Sequence, residues 1–140
     1  MATGGLSAQL QTAVVERVRR ALPRVVAVYA HGSYVHGTPR AESDLDLALL
    51  LPPGERPDPR VLPELAGDLE ELVGRPVDVG FLEPSRSVVY CKEVLAHGER
   101  WAVFEPKAAA EFETYARAEY ADYRRALAPV VAAYTANDRG

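Results

Sequence analysis

Segments of helical period alternate with short apolar runs of strand length along the whole chain, and this alternation limits the fold more than any other feature. Leu10, Val14, Val18 and Leu22 recur at helical spacing with charges between them, so residues 7–21 predict an amphipathic helix stopped near Pro23. Residues 25–30 follow as a buried strand. Gly32-Ser33 is then a turn signal, opening a polar stretch with Gly37, Thr38, Pro39 and Arg40. Residues 45–51 form a second strand, ended by Pro52-Pro53-Gly54. Leu62, Leu65, Leu69 and Leu72 mark a helix finishing at Gly74, and residues 76–82 supply a third strand. Residues 87–96 predict another helix with Gly98 just beyond it, and residues 100–104 a short strand. Phe112, Ala116, Tyr120, Tyr123 and Leu127 then give a long helix from Lys107, interrupted or ended near Pro129. Residues 135–140 are expected to fray. The order predicts an α/β (α+β) fold in a single domain over residues 1–140, with no repeat or linker to suggest a second.

With 140 residues, 48% of them hydrophobic, the chain can bury one ordinary core. Its net charge of −4, with sixteen basic residues thinly spread, lacks the footprint of a general nucleic-acid binder. Arg17, Arg19, Arg20 and Arg24 come nearest to a basic patch and read as the solvated face of a helix. The single Cys91, set among Val88, Val89, Tyr90 and Val94, reads as a packed thiol rather than a nucleophile. No signal segment and no stretch of transmembrane length is seen, so a soluble cytoplasmic protein with no membrane partner is expected.

The chemistry concentrates in residues 29–51, YAHGSYVHGTPRAESDLDLALLL. Strand residues two apart share a face, so Asp44 and Asp46 project together while Leu45 and Leu47 pack on the other side. Two carboxylates so placed can hold hard cations. Gly32 lets the backbone pass close to a phosphate, and Ser33, at the mouth of a short helix, adds a hydroxyl and backbone N–H groups. Asp78 is the acidic residue inside the third strand, between valines that must face the core. Three carboxylates converging on one sheet edge repel one another unless a cation sits between them, which suggests Mg²⁺. Each signal alone has a plain structural reading: a solvated Asp-x-Asp, a Gly-Ser turn, an edge-strand Asp. Their joint order makes that reading improbable.

Gly32-Ser33, ten residues, Asp44-Leu45-Asp46 and then Asp78 as third carboxylate resemble the polymerase-beta-like nucleotidyltransferase superfamily. The chain further resembles the minimal nucleotidyltransferase (MNT, MntA-like) antitoxins of HEPN/MNT toxin-antitoxin modules. That likeness extends through RPVDVGFLEPSRSVVYCKEVLAHGERWAVFE and the C-terminal FETYARAEYADYRRAL. The resemblance implies a mixed sheet flanked by helices with a C-terminal helix. It also implies an adenylyltransferase that uses ATP and Mg²⁺, as two ions, to place AMP on a tyrosine of a cognate HEPN-domain ribonuclease toxin and silence it. Carried over, Gly32 and Ser33 would hold the triphosphate, Asp44 and Asp46 would bind metal, and Asp78 would bind metal or take the acceptor proton. Many relatives carry a basic residue just before the second glycine, where this chain has His36; Arg40 is placed to supply that phosphate contact.

Other residues carry plainer readings. His36 is a loop histidine, His31 orients the Gly-Ser turn, and His97 caps helix carbonyls. Trp101 belongs to the core. Phe112, Tyr115, Tyr120 and Tyr123 form a helix-packing stripe, part of it open to a partner. Two alternative functions share this sequence. One is a nucleotidyltransferase with a small-molecule acceptor, which would need an extra domain. The other is an antitoxin that only covers its partner, which has no use for three converging carboxylates.

Overall fold

The computed structural model describes residues 6–31 and 44–138. Gly32, Ser33, His36, Gly37 and Arg40, with the short helix expected after Ser33, lie outside these residues. The elements run α1 (Ala8–Ala21), β1 (Ala27–His31), β2 (Leu45–Leu50), α2 (Val61–Val73), β3 (Val77–Phe81), α3 (Val88–His97), β4 (Glu99–Val103) and α4 (Pro106–Asp138). The four strands form one mixed sheet in the order β3-β2-β1-β4, with β2 and β3 parallel and the other pairs antiparallel. A mixed sheet flanked by helices, with a C-terminal helix, is what the resemblance implies; the strand order and pairing directions are given by the structure.

Local chemistry sets the element ends. The Ser7 side chain accepts a hydrogen bond from the Leu10 N–H and so begins α1, and the Ser87 side chain does the same for α3 through Tyr90. Gly74 ends α2 in the left-handed conformation, at φ 73°, and its N–H bonds the Glu70 carbonyl. Between β2 and α2, Gly54 turns the chain at φ 80°.

Strand alternation divides the buried residues into two layers. Val28, Ala30, Leu45, Leu47, Leu49 and Val77 face Val14 and Val18 of α1 and Leu65 and Leu69 of α2. Tyr29, Ala48 and Leu50 face Cys91 and Val94 of α3 and Ala109 and Ala116 of α4. The sheet is thus sandwiched between two helix pairs. Its two inner strands, β1 and β2, supply more buried apolar residues than its two edge strands, consistent with their nearly unbroken apolar runs.

Several expectations are refined or corrected by the structure. The arginines near α1 keep the solvated face that the sequence suggests, with Arg19, Arg20 and Arg24 exposed, and from it Arg17 pairs with Asp68 of α2, Arg24 with Glu55, and the Arg19 guanidinium lies 4.2 Å from the Phe104 ring centroid. Helix α4 does not break at Pro129; it runs to Asp138 with Pro129 inside it. Proline removes one N–H and crowds the carbonyl four residues back, at Arg125, but here that turn is exposed and water can satisfy the carbonyl. At the end of α3, the Gly98 N–H caps the Val94 carbonyl at 2.8 Å, while the His97 ring lies 3.9 Å from Glu93. Trp101 packs against the core but stays half-buried, its indole N–H donating to Glu99 at 3.2 Å.

Candidate active site

The sheet register builds the site. His31 ends β1 directly opposite Asp46 of β2, and Asp46 lies directly opposite Asp78 of β3. Register partners share a face, so His31, Asp46 and Asp78 form a row across three strands. Asp44 sits two positions before Asp46, where the chain enters β2, and continues that face. Leu45 and Leu47 on the opposite face are completely or nearly completely buried, which fixes the register and so the outward aim of the acids. Asp78 is exposed on its edge strand, Asp44 is exposed, and Asp46 is half-buried.

Helix α3 closes one side of this row. Tyr90, in its first turn, brings its hydroxyl 3.2 Å from His31 Nε2, with the two rings edge to face at 77°. The approach depends on Gly80, two residues beyond Asp78: a Cβ there would lie 3.1 Å from the Tyr90 hydroxyl. At the other end of α3, Gly98 packs against the Ala30 carbonyl and the His31 Cβ. The end of β1, from which the chain leads into residues 32–33, is therefore held from two points.

The electrostatics report crowding of negative charge. Burial raises the Asp46 pKa above its ordinary value; His31 opposes the rise, and Asp78 and Asp44 add to it by repulsion. Burial lowers the His31 pKa despite the pull of Asp46 and Asp78, so the imidazole is neutral at pH 7. The Tyr90 hydroxyl is pushed up to about 12 by burial, with smaller contributions from Asp78 and Asp46. Burial likewise raises Cys91 to about 11, and it is the packed thiol the sequence suggests.

The donors facing this edge are carboxylate oxygens, the chemistry that Mg²⁺ selects, and a cation would relieve the repulsion felt by Asp46. Among the described residues, no three His, Cys, Asp or Glu side chains already converge tightly enough to hold an ion. The donor set fits by type and by strand position; the side chains of Asp44, Asp46 and Asp78 would have to close on the ion.

Of the site residues expected from sequence, then, the structure gathers Asp44, Asp46 and Asp78 on one face. Sequence reasoning missed Tyr90 and Gly80, and underrated His31. Only His31 had a visible signal, as a titratable residue immediately before the Gly-Ser turn. A cavity of about 370 Å³ lies at the other end of the sheet, among Leu51, Pro52, Phe81, Glu83, Phe112 and Tyr115. It contains none of the acidic row, and we place the chemistry on the row, where charge is concentrated.

This fold and row define a nucleotidyltransferase: the polymerase beta nucleotidyltransferase family model matches residues 15–102, and the chain belongs to that family. Among particular relatives, the chain is similar to the protein adenylyltransferase MntA of Shewanella oneidensis, with 31% identity over 87 residues. The matched stretch is 62% of this chain and spans about three fifths, 60%, of that relative's length. The fold is similar to a chain of the complex of tri-AMPylated Shewanella oneidensis HEPN toxin with MNT antitoxin, at a TM-score of 0.73 and 21% identity. That match covers 92% of this chain and 99% of the other. A toxin-antitoxin crystal structure with AMP-PNP matches at a TM-score of 0.74 and 23% identity, covering 89% and 98%. Among the described residues, no helix is long and apolar enough to cross a membrane.

Proposed function

We propose that this protein is a Mg²⁺-dependent adenylyltransferase antitoxin, which transfers AMP from ATP to a tyrosine of a cognate HEPN toxin. The observation that carries this reading is the register of Asp46 against Asp78, with Asp44 on the same face. The similarity to a protein adenylyltransferase and to chains from toxin complexes supports a protein acceptor and a HEPN partner; the tyrosine rests on the family resemblance.

In this reading Asp44 and Asp46 hold Mg²⁺ together with the triphosphate, and Asp78 completes the set from its own strand. Bound Mg²⁺ offsets charge on the phosphates. Gly32 and Ser33, directly beyond His31, cradle the triphosphate, and Arg40 adds a phosphate contact. Asp78, exposed on the edge strand, receives the proton of the acceptor hydroxyl as that oxygen bonds to the α-phosphorus and the bond to pyrophosphate breaks. His31, neutral and tied to Tyr90, fixes the end of β1 next to this chemistry.

The test is incubation of the chain with Mg²⁺, ATP labelled in its α-phosphate, and the HEPN partner, followed by mass analysis of the partner's tyrosines. Label on a partner tyrosine that disappears with Asp46→Asn is the expected result. A partner silenced without label would overturn the enzymatic reading in favour of steric inhibition.

A further inference from the structure

His31 stands between two partners and is turned to one of them. In register it lies directly opposite Asp46, on the same face of the sheet. Side chains paired in this way come within hydrogen-bonding reach, so an imidazole here could donate an N–H to the Asp46 carboxylate. The ring instead meets the Tyr90 hydroxyl, 3.2 Å from Nε2. Among the described residues, His31 and Asp46 act on each other through charge and not through a hydrogen bond.

Three features hold the ring in that orientation. The Ser87 side chain accepts the Tyr90 N–H at 3.1 Å, which fixes where Tyr90 leaves α3. The two rings then pack edge to face with centroids 5.3 Å apart. Gly80 supplies the remaining room: its backbone lies outside the left-handed region, so what glycine contributes there is space. A Cβ on Gly80 would lie 3.1 Å from the Tyr90 hydroxyl but 3.8 Å from the ring carbon that carries it. The hydroxyl, more than the ring, is what needs a glycine.

We propose that Tyr90 is a positioning residue for metal binding, whose hydroxyl holds the His31 ring off Asp46 and so keeps that carboxylate free to close on Mg²⁺. This rests on the reading of the acidic row as the Mg-ATP site. No three donors among the described residues are yet gathered around an ion, so the Asp46 side chain has to move to bind one. An imidazole N–H bonded to it would compete with the ion for the same oxygen lone pairs. Without the Tyr90 hydroxyl the half-buried ring is left short of a partner, and Asp46 is the carboxylate opposite it.

The test is calorimetric titration with ATP over a range of Mg²⁺ concentrations, with urea unfolding of each variant as the control for folding. In Tyr90→Phe, which keeps the packed ring, the Mg²⁺ concentration for half-maximal ATP binding should rise ~10-fold, the effect of one hydrogen bond to a charged group. Excess Mg²⁺ should restore binding, because the imidazole only competes. Gly80→Ala should raise the requirement too, by displacing the hydroxyl, yet add nothing in the Tyr90→Phe background, where the nearest ring atom is 3.8 Å away. His31→Ala in that background should return the requirement to the parental value, while keeping the Cβ that meets Gly98. A parental requirement in Tyr90→Phe overturns the proposal and leaves the reading of the row standing. So does a loss that neither excess Mg²⁺ nor His31→Ala reverses, which would make Tyr90 structural. A parent that binds no ATP at any Mg²⁺ concentration overturns the reading of the row itself, and the proposal with it.

Discussion

Gly98→Ala isolates how closely α3 is pressed onto the end of β1. The glycine has φ −83° and ψ 171°, which alanine adopts freely, so backbone strain contributes nothing. The cost is steric: the added Cβ would lie 2.6 Å from the Val94 carbonyl oxygen and 2.9 Å from the Ala30 carbonyl oxygen. Neither oxygen can swing aside. The first accepts the N–H that caps α3, and the second belongs to the strand paired with β4. Either α3 or the end of β1 must shift by several tenths of an ångström, and overpacking against backbone costs about 2–4 kcal/mol. That lowers the folded-to-unfolded ratio roughly 30- to 1000-fold and the melting temperature by roughly 6–12 °C for a chain of this size. Urea unfolding of variant and parent should show a lower midpoint at unchanged slope. A loss below about 0.5 kcal/mol would show that the packing at this joint is looser than the structure has it.

Three further outcomes follow from the structure. Gly67→Ala is the opposite case: the site is helical, with nothing within 4 Å of an added Cβ, and should gain about 0.5–1 kcal/mol in the same unfolding assay. Asp46→Asn should stabilise the metal-free protein at pH 7. Its folded pKa is raised above the unfolded value of 3.8, so stability falls as pH climbs from 3.8 through the folded pKa, and the variant escapes that loss. Unfolding curves should differ at pH 7 and converge below 3.8; a constant difference across pH would contradict the linkage. Asp78→Asn should retain Mg-ATP binding by calorimetry yet lose roughly 100-fold or more in single-turnover transfer, the mark of a group acting in the transition state. Transfer at the parental rate would make Asp78 structural.

The elements were legible because their periods differ: Leu10, Val14 and Val18 could only line a helix, and the acid-apolar alternation at Asp44-Leu45-Asp46 could only place both acids on one face of a strand. The row beyond Asp44 and Asp46 depended on register, which sequence specifies less directly. A two-residue hairpin fixes the pairing of its strands, but thirteen residues separate β1 from β2, so the opposition of His31 and Asp46 is set by the packing of Leu45 and Leu47 instead. Tyr90 was hidden for another reason. Its hydroxyl reaches the row only because α3 docks over a strand glycine, and Gly80 reads in sequence as an ordinary interruption of β3. Pro129 misled because the local rule assumes a crowded interior, whereas α4 is bare at that point.

The turn between β2 and α2 lies at the end of β2 away from Asp46, roughly 15 Å or more along the strand. Nothing lies within 4 Å of where a side chain on Gly54 would begin. That makes the turn a natural handle. A short tag or a fluorophore carrier inserted after Gly54 would tether the protein to a surface with its acidic edge facing solution, leaving nucleotide and acceptor to arrive from the free side. The insertion should be tolerated because lengthening an exposed turn adds little to the entropy of closing it.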